Sequence, residues 1–343
     1  MLNSFGKLPS GKRLSRIKSS PNYKDGAFQN ILPTAMLAED ASYPKMMTEF
    51  FFGKVTDGVP GSPLPVLKSD LKSLSLNEPV IVWFGHSSYL IIINGKRILV
   101  DPVFSAYASP WQFIGTKNFA YSHPYSIDDF PELDLVILTH DHYDHLDYHA
   151  IQKLRAKTKQ FCTALGVGEH LTYWGVEEAT VREFDWWESA TLFSGMELTA
   201  TPARHFSGRG FKRNQSLWTS FVLKVDGYAL FIGGDSGYDT SFKTIGDKMG
   251  PFDLAILECG QYNEQWPFIH MMPEQTVQAA IDLNARVLLP VHWGKFKLSL
   301  HSWTDPIDRA VAMATTLKQQ ITTPMIGEPL RLDKIANGSY WWK

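Results

Sequence analysis

Cysteine is nearly missing from this chain: Cys162 and Cys259 are the two in 343 residues, and neither sits in a metal-like spacing. That excludes a disulfide framework and leaves both as small buried apolar residues of a reducing cytosol. An excess of one charge is missing too. With 33 Lys and Arg against 35 Asp and Glu, the formal net charge is −2, so nucleic acid, usually gripped by a strongly basic face, is excluded as a partner. No apolar run is long enough to span a bilayer; the best, Tyr89 to Ile93, stops at Asn94-Gly95. The opening Met1-Leu2-Asn3-Ser4-Phe5-Gly6-Lys7 lacks the apolar stretch of a secretory signal. The expected location is cytoplasmic, with any membrane contact peripheral.

Apolar residues make up 44% of the chain and aromatics 13%, enough for a substantial core. Residues 1–75 read as an N-terminal extension packed on or flanking the core, and 76–343 as the main domain. The first 30 residues carry Lys7, Lys12, Arg13, Arg16, Lys18 and Lys24 against Asp25 alone, a solvated arm or one that touches an anionic membrane surface. Val59-Pro60-Gly61-Ser62-Pro63-Leu64-Pro65 marks a connector.

Val80 to Phe84 then reads as a strand. Asn94-Gly95 and Asp226-Gly227, each between apolar runs, predict type I′ hairpins. Helices are predicted where Asp147 precedes Ile151 and Leu154, at Pro273, and at Asp305-Pro306. Hairpins interspersed with helices imply a mixed α/β domain.

Behind the apolar run Leu135-Val136-Ile137-Leu138 stands Thr139-His140-Asp141-His142-Tyr143-Asp144-His145-Leu146-Asp147. If the strand continues through the histidines, alternation throws His140 and His142 to one side. Asp144 and His145 follow on the turn, aimed at a second point. Imidazole with carboxylate suits zinc, with iron or manganese as poorer matches. His205, Asp235 and His292 each follow another apolar run, so all can converge at one edge of a sandwich, and Gly233-Gly234 and Gly237 let backbone approach an ion beside Asp235.

The order H-x-H-x-D-H, then His, then Asp in Gly234-Asp235-Ser236-Gly237-Tyr238, then His292-Trp293-Gly294 resembles the metallo-β-lactamase superfamily. Within it the chain resembles the N-acyl-phosphatidylethanolamine-hydrolysing phospholipase D branch. The matching blocks include Trp83-Phe84-Gly85-His86-Ser87-Ser88, Asp101-Pro102-Val103-Phe104-Ser105, Asp185-Trp186-Trp187-Glu188, Pro202-Ala203-Arg204-His205 and Gly250-Pro251-Phe252-Asp253-Leu254, and they span roughly residues 80 to 300.

The resemblance implies an αββα sandwich with mixed sheets and a dinuclear zinc site. His140, His142 and His205 would hold one ion, Asp144, His145 and His292 the other, and Asp235 would bridge them. His270, just before Met271-Met272-Pro273, matches a position near the substrate phosphate, for contact or proton donation; plain helix-start chemistry is its other reading. His86 either shapes the floor through backbone bonds or touches substrate. Asp101 and Asp141 are expected to orient metal-bound imidazoles. Ala106-Tyr107 and Ile269 stand where the branch's eukaryotic lipid enzymes tend to carry Ser-Arg and Gln.

The expected function is phospholipase D-type hydrolysis of a phosphodiester, N-acyl-phosphatidylethanolamine or a related phospholipid. A small-substrate hydrolase on the same scaffold (a sugar-phosphate lactonase or cyclic-phosphate esterase) is the alternative, and a non-catalytic metal-binding protein the next. Expected partners are a phospholipid or small-molecule substrate, a membrane surface and, as a homodimer, a second copy of the chain.

Overall fold

The apolar runs become the strands of two seven-stranded sheets in the computed structural model, which describes all residues except 1–2, 40, 43, 45–47, 50–52, 54 and 336–337. The first sheet is built from β1 (Val80–Trp83), β2 (Tyr89–Ile93), β3 (Lys96–Val100), β4 (Leu133–Leu138), β5 (Thr158–Ala164) and β6 (Val181–Phe184), with β14 (Pro329–Arg331) returning to its edge. Its order is β6-β5-β4-β3-β2-β1-β14. The second runs β7 (Ser189–Phe193), β8 (Met196–Thr201), β9 (Ser220–Val225), β10 (Tyr228–Ile232), β11 (Phe252–Glu258), β12 (Ala285–Val291) and β13 (Gln320–Ile321) in sequence order. Each sheet mixes antiparallel hairpins with a parallel half.

The hairpin turns follow local chemistry. Asn94 and Gly95 take φ of 49° and 71°, and Asp226 and Gly227 take 51° and 79°, the paired positive values that a type I′ turn requires. Strands β2 and β4 are buried at every residue, because side chains on one sheet face meet the other sheet and those on the opposite face meet helices or connecting segments. Phe184 of β6 packs on Phe221 of β9 across the sandwich, ring centroids 5.9 Å apart.

Outside the second sheet lie α4 (Ser241–Met249), α5 (Pro273–Asp282) and α6 (Asp305–Leu317), with α5 against β11 and β12. On the first, α2 (Tyr148–Leu154) buries Ala150, Ile151 and Leu154, and α3 (Gly168–Tyr173) packs beside β6. The Asp147 side chain caps α2 by accepting from His149 N and Ala150 N, a cap worth about 1 kcal/mol. The same carboxylate accepts from Phe104 N, Ser105 N and Ser105 Oγ, which ties the loop after β3 to the loop after β4.

The basic arm departs from the solvated reading. Residues Gly11–Ser19 form α1, with Ile17 fully buried. Arg13 donates to Glu183 and Glu169, both at 2.7 Å, Arg16 pairs with Glu188 at 2.6 Å, and Lys7 with Glu169 at 2.9 Å. Partners 150 and more residues away pair with three of its six cations, so the arm is strapped to the body while Lys12, Lys18 and Lys24 stay exposed. Ile17, Phe28, Leu64 and Leu71 join the same core as the strands. Of the opening stretch, Met1 and Leu2 lie outside the described residues. Cys162 and Cys259 are buried and unbridged. Among the described residues, no helix is long and apolar enough to cross a membrane.

Candidate metal centre

Strand direction explains why distant residues meet. In the first sheet β1, β3 and β4 point the same way, and in the second β8, β10, β11 and β12 do. Their C-terminal ends therefore share one edge, where His86, Asp101 and the 139–147 loop face His205, Asp235, Glu258 and His292. Strand β4 ends at Leu138, so His140 and His142 sit on the loop beyond it. Loop conformation, and not strand alternation, turns both inward.

Two donor sets result. His140, His142, His205 and Asp235 form one, and His86, Asp144, His145 and His292 the other; within each set the candidate ligand atoms lie within 4.8 Å of one another. In the first, His142 Nδ1 is 3.0 Å from His140 Nε2 and 3.2 Å from His205 Nε2. Tetrahedral nitrogens on zinc stand about 3.3 Å apart at ordinary bond lengths. Asp235 reaches both sets: Oδ2 lies 3.8 Å from His140 Nε2 and from His205 Nε2, and Oδ1 lies 3.1 Å from His145 Nε2 and 3.2 Å from His292 Nδ1.

The donor chemistry fits a metal. His86 Nδ1, His142 Nε2, His145 Nε2, Asp235 Oδ1 and His292 Nε2 are buried polar atoms without a hydrogen-bond partner. Such atoms are costly singly, and two of them, His145 Nε2 and Asp235 Oδ1, lie 3.1 Å apart, as co-ligands of one ion would. The tautomers are prepared as well. His205 Nδ1 donates to Ile269 O at 2.7 Å and His145 Nδ1 to Asp101 Oδ2 at 2.8 Å, leaving each Nε2 lone pair free. Thr139 Oγ1 gives its proton to Asp101 Oδ2 at 2.7 Å, so it accepts from His140 Nδ1 at 3.0 Å. One carboxylate, Asp101, thus orients a ligand in each set.

The electrostatics agree. Burial first, then the neighbouring imidazoles, hold His140 well below its ordinary value, and burial does the same for His205 and His292, so all three are neutral and able to ligate. Burial opposes charge on His145, yet Asp235, Asp144 and Asp101 lift it well above its ordinary value, so an ion taken up there displaces a proton from Nε2. Burial alone would raise Asp235, but His145 and His292 hold it well below the usual carboxylate range. His86, Asp101 and His292 all have positive φ (52°, 38° and 67°), a strained conformation of the kind that gathers at functional sites.

The other expected residues divide. His270 joins a third donor group with Asp235 and His292. His86 has no exposed surface, and its Nε2 lies 2.9 Å from Asp144 Oδ2. Its backbone N–H donates to Trp293 O and its carbonyl accepts from His292 N. That makes it floor; substrate contact through His86 is corrected by burial. Asp141 is a second correction. Its carboxylate accepts from Gly208 N at 2.7 Å and Ser216 Oγ at 2.8 Å and meets His170 Nε2 at 3.4 Å, so it braces the loop after β8 instead of a ligand imidazole. Trp186 is buried and donates to Trp218 O, whereas Trp187 is exposed.

Residues 96–293 match the family model described as beta-lactamase superfamily domain. The chain belongs to the metallo-β-lactamase superfamily. It is a metal-dependent hydrolase of that superfamily. An uncharacterized protein of Mycobacterium tuberculosis is 36% identical over 336 residues, covering 95% of this chain and 88% of that one. N-acyl-phosphatidylethanolamine-hydrolyzing phospholipase D 1 of Caenorhabditis elegans is 32% identical over 241 residues, 66% of this chain and 67% of that one. Among solved structures, a metallo hydrolase from Ignicoccus hospitalis shares the fold with a TM-score of 0.57 at 22% identity, covering 74% of this chain and 98% of that one.

Two residues that hold candidate site residues in place escaped the sequence reading. Glu258 ends β11 fully buried, accepting from Ser236 N through Oε1 at 2.8 Å and from His270 Nδ1 through Oε2 at 2.7 Å. Burial opposes a charge on His270, but Glu258 outweighs it and lifts the imidazole above its ordinary value. An acid closing the apolar run Leu254–Leu257, at the edge that carries Asp235 and His292, was a usable signal. Asn30 is the second. Its amide donates to His205 O at 2.8 Å, and its oxygen accepts from His205 N at 3.1 Å and Trp218 Nε1 at 3.1 Å, locking a candidate ligand's backbone from the N-terminal extension. No local pattern announces it.

Proposed function

We propose that the chain is a dinuclear zinc phosphodiesterase that hydrolyses N-acyl-phosphatidylethanolamine or a related phospholipid, releasing phosphatidate and an N-acylethanolamine. His140, His142 and His205 would hold one ion, Asp144, His145 and His292 the other, with Asp235 between. The chemistry such ions supply when bound is Lewis acidity and activation of water. The chain's own residues do the rest. Asp101 keeps His140 and His145 in the ligating tautomer. Glu258 fixes the His270 ring through Nδ1, leaving its other nitrogen to hydrogen-bond the phosphate or protonate the departing oxygen.

The observation that carries the phospholipid reading is the similarity to a phospholipase D of this specificity over 241 residues. Ile269 is compatible with it. The carbonyl of that residue, not its side chain, holds His205, so the change from Gln leaves the ligand undisturbed.

The test is kcat/KM of the zinc-loaded protein across an acyl-chain series, with a sugar lactone and a cyclic nucleotide alongside. Phosphodiester cleavage should rise with chain length, each newly buried methylene adding about 0.8 kcal/mol, roughly fourfold. A flat series, or lactone opening faster than phosphodiester cleavage, overturns the lipid reading in favour of a small substrate.

A further inference from the structure

Large apolar side chains stand in water close to the metal loop. The segment after Asp101 forms a short ribbon, Tyr107–Ala108 paired with Thr116–Lys117. Its tip raises Trp111, Phe113 and Ile114 into solvent, Phe113 with 71% of its surface exposed and Ile114 with 57%. Across from it, the loop after β8 holds Phe211 fully exposed.

Phe5 joins the two. Its ring meets Trp111 edge-on at 5.3 Å, and it lines a cavity of about 350 Å³ together with Leu8 and Phe211. Ser4 Oγ donates to Pro110 O, which holds the ribbon to the N-terminal turn. Phe5 also meets Tyr143, and the guanidinium of Arg209 lies 4.0 Å from the centre of the Tyr143 ring. Tyr143 stands between His142 and Asp144, so this aromatic face lies against the loop that carries four of the candidate ligands.

The charge around it has one sign. Residues 102–127 and 198–216 contain no Asp or Glu, although the whole chain is slightly acidic. Lys117 at the base of the ribbon is exposed, as are Lys212 and Arg213 beside Phe211. Exposed aromatics beside three exposed cations, with the one acid of the shared cavity, Asp141, buried beneath them, complement a surface that is apolar below and anionic above. That is the chemistry of an anionic bilayer interface, where aromatic rings sit at headgroup level and each nearby cation adds about a fivefold gain in binding.

The geometry points to this face as a membrane-docking surface: the tip residues Trp111, Phe113 and Ile114 and the facing Phe211 enter the interface of an anionic bilayer, with Lys117, Lys212 and Arg213 on its headgroups. It deepens the proposed function by naming where a lipid substrate is met. Vesicle binding is read without turnover, so failure of either leaves the other standing.

The experiment is co-sedimentation of the full chain with vesicles of phosphatidylcholine and phosphatidylglycerol at roughly three to one, against pure phosphatidylcholine. Binding should require the anionic lipid and weaken with salt. The double variant Phe113→Ser/Phe211→Ser should bind on the order of tenfold more weakly. Lys117→Glu/Lys212→Glu should lose at least as much. All four side chains are solvent-facing, so melting temperature and metal content should stay at wild-type values. No binding to either vesicle overturns the inference, as does equal binding by wild type and the aromatic variant. It also fails if light scattering shows a dimer that the Phe113→Ser/Phe211→Ser change disperses, because a second copy then covers the face.

Discussion

His270 offers a clean separation between binding a metal and serving the reaction. Glu258→Gln preserves the shape of the pair but removes the carboxylate that holds the imidazole. Turnover of Glu258→Gln and of His270→Ala should fall on the order of a hundredfold through kcat, with metal content unchanged by elemental analysis. A parallel loss of metal would make His270 a ligand. Asn30 predicts the opposite pattern. Asn30→Ala frees the His205 backbone, and weakened support of a ligand typically costs about 10–100-fold in metal affinity. Asn30→Asp, which still accepts from His205 N but cannot donate to His205 O, should fall between. Zinc titration with a competing chelator checks both, and wild-type affinity in Asn30→Ala would return the contact to plain folding. The seven candidate His and Asp ligands, which the fold brings into neighbouring groups, were legible because such residues are rare just beyond buried runs. Asn30 was not, since its partner lies 175 residues away.

Elements with local causes were equally legible. The two Asn-Gly and Asp-Gly hairpins and the helices begun at Asp147, Pro273 and Asp305-Pro306 stand where turn and cap chemistry put them. Helix α1 was misread because a charge run carries no record of its distant partners. Those partners give it a pH dependence. Burial pushes the Glu169 carboxyl up, but hydrogen bonds from Lys7, Arg13 and Ser10 outweigh this and hold it below its ordinary 4.5. A depressed carboxyl stabilises the folded state above its unfolded value and loses that contribution as pH falls through the folded one. The strap should therefore stay docked at neutral pH and begin to release as pH drops below about 4.5, before the sheets unfold. Hydrogen exchange of residues 11–19 would report it. Arg13→Ala should produce the same release at neutral pH, since it strips a largely buried pair of its cation at a local cost on the order of 3 kcal/mol. Exchange that stays flat with pH would mean that Ile17, and not the ion pairs, holds the helix.

At the scale of the whole molecule the metal centre is the seam between the two sheets. His86, Asp101 and the 139–147 loop come from the first sheet, while His205, Asp235 and His292 come from the second. The superfamily was readable from that set alone, because every member of the motif has to meet at one edge. Substrate class was less so, because it depends on loops such as 102–127 whose conformation no period in the sequence dictates. A shared seam predicts that metal and fold stability are one quantity. Protein purified without chelator should approach two equivalents of metal. Chelation should abolish hydrolysis and lower the melting temperature, and zinc should restore both. At a free concentration a hundredfold above Kd, one bound ion contributes about 2.7 kcal/mol to the folded state. Asp235→Asn, whose neutral amide serves two cations poorly, should plateau near one equivalent and lose much of the zinc-dependent rise in melting temperature. If the wild type itself plateaus at one despite added zinc, or melts at the same temperature with and without chelator, Asp235 is not a bridge and the two donor sets do not act as one site.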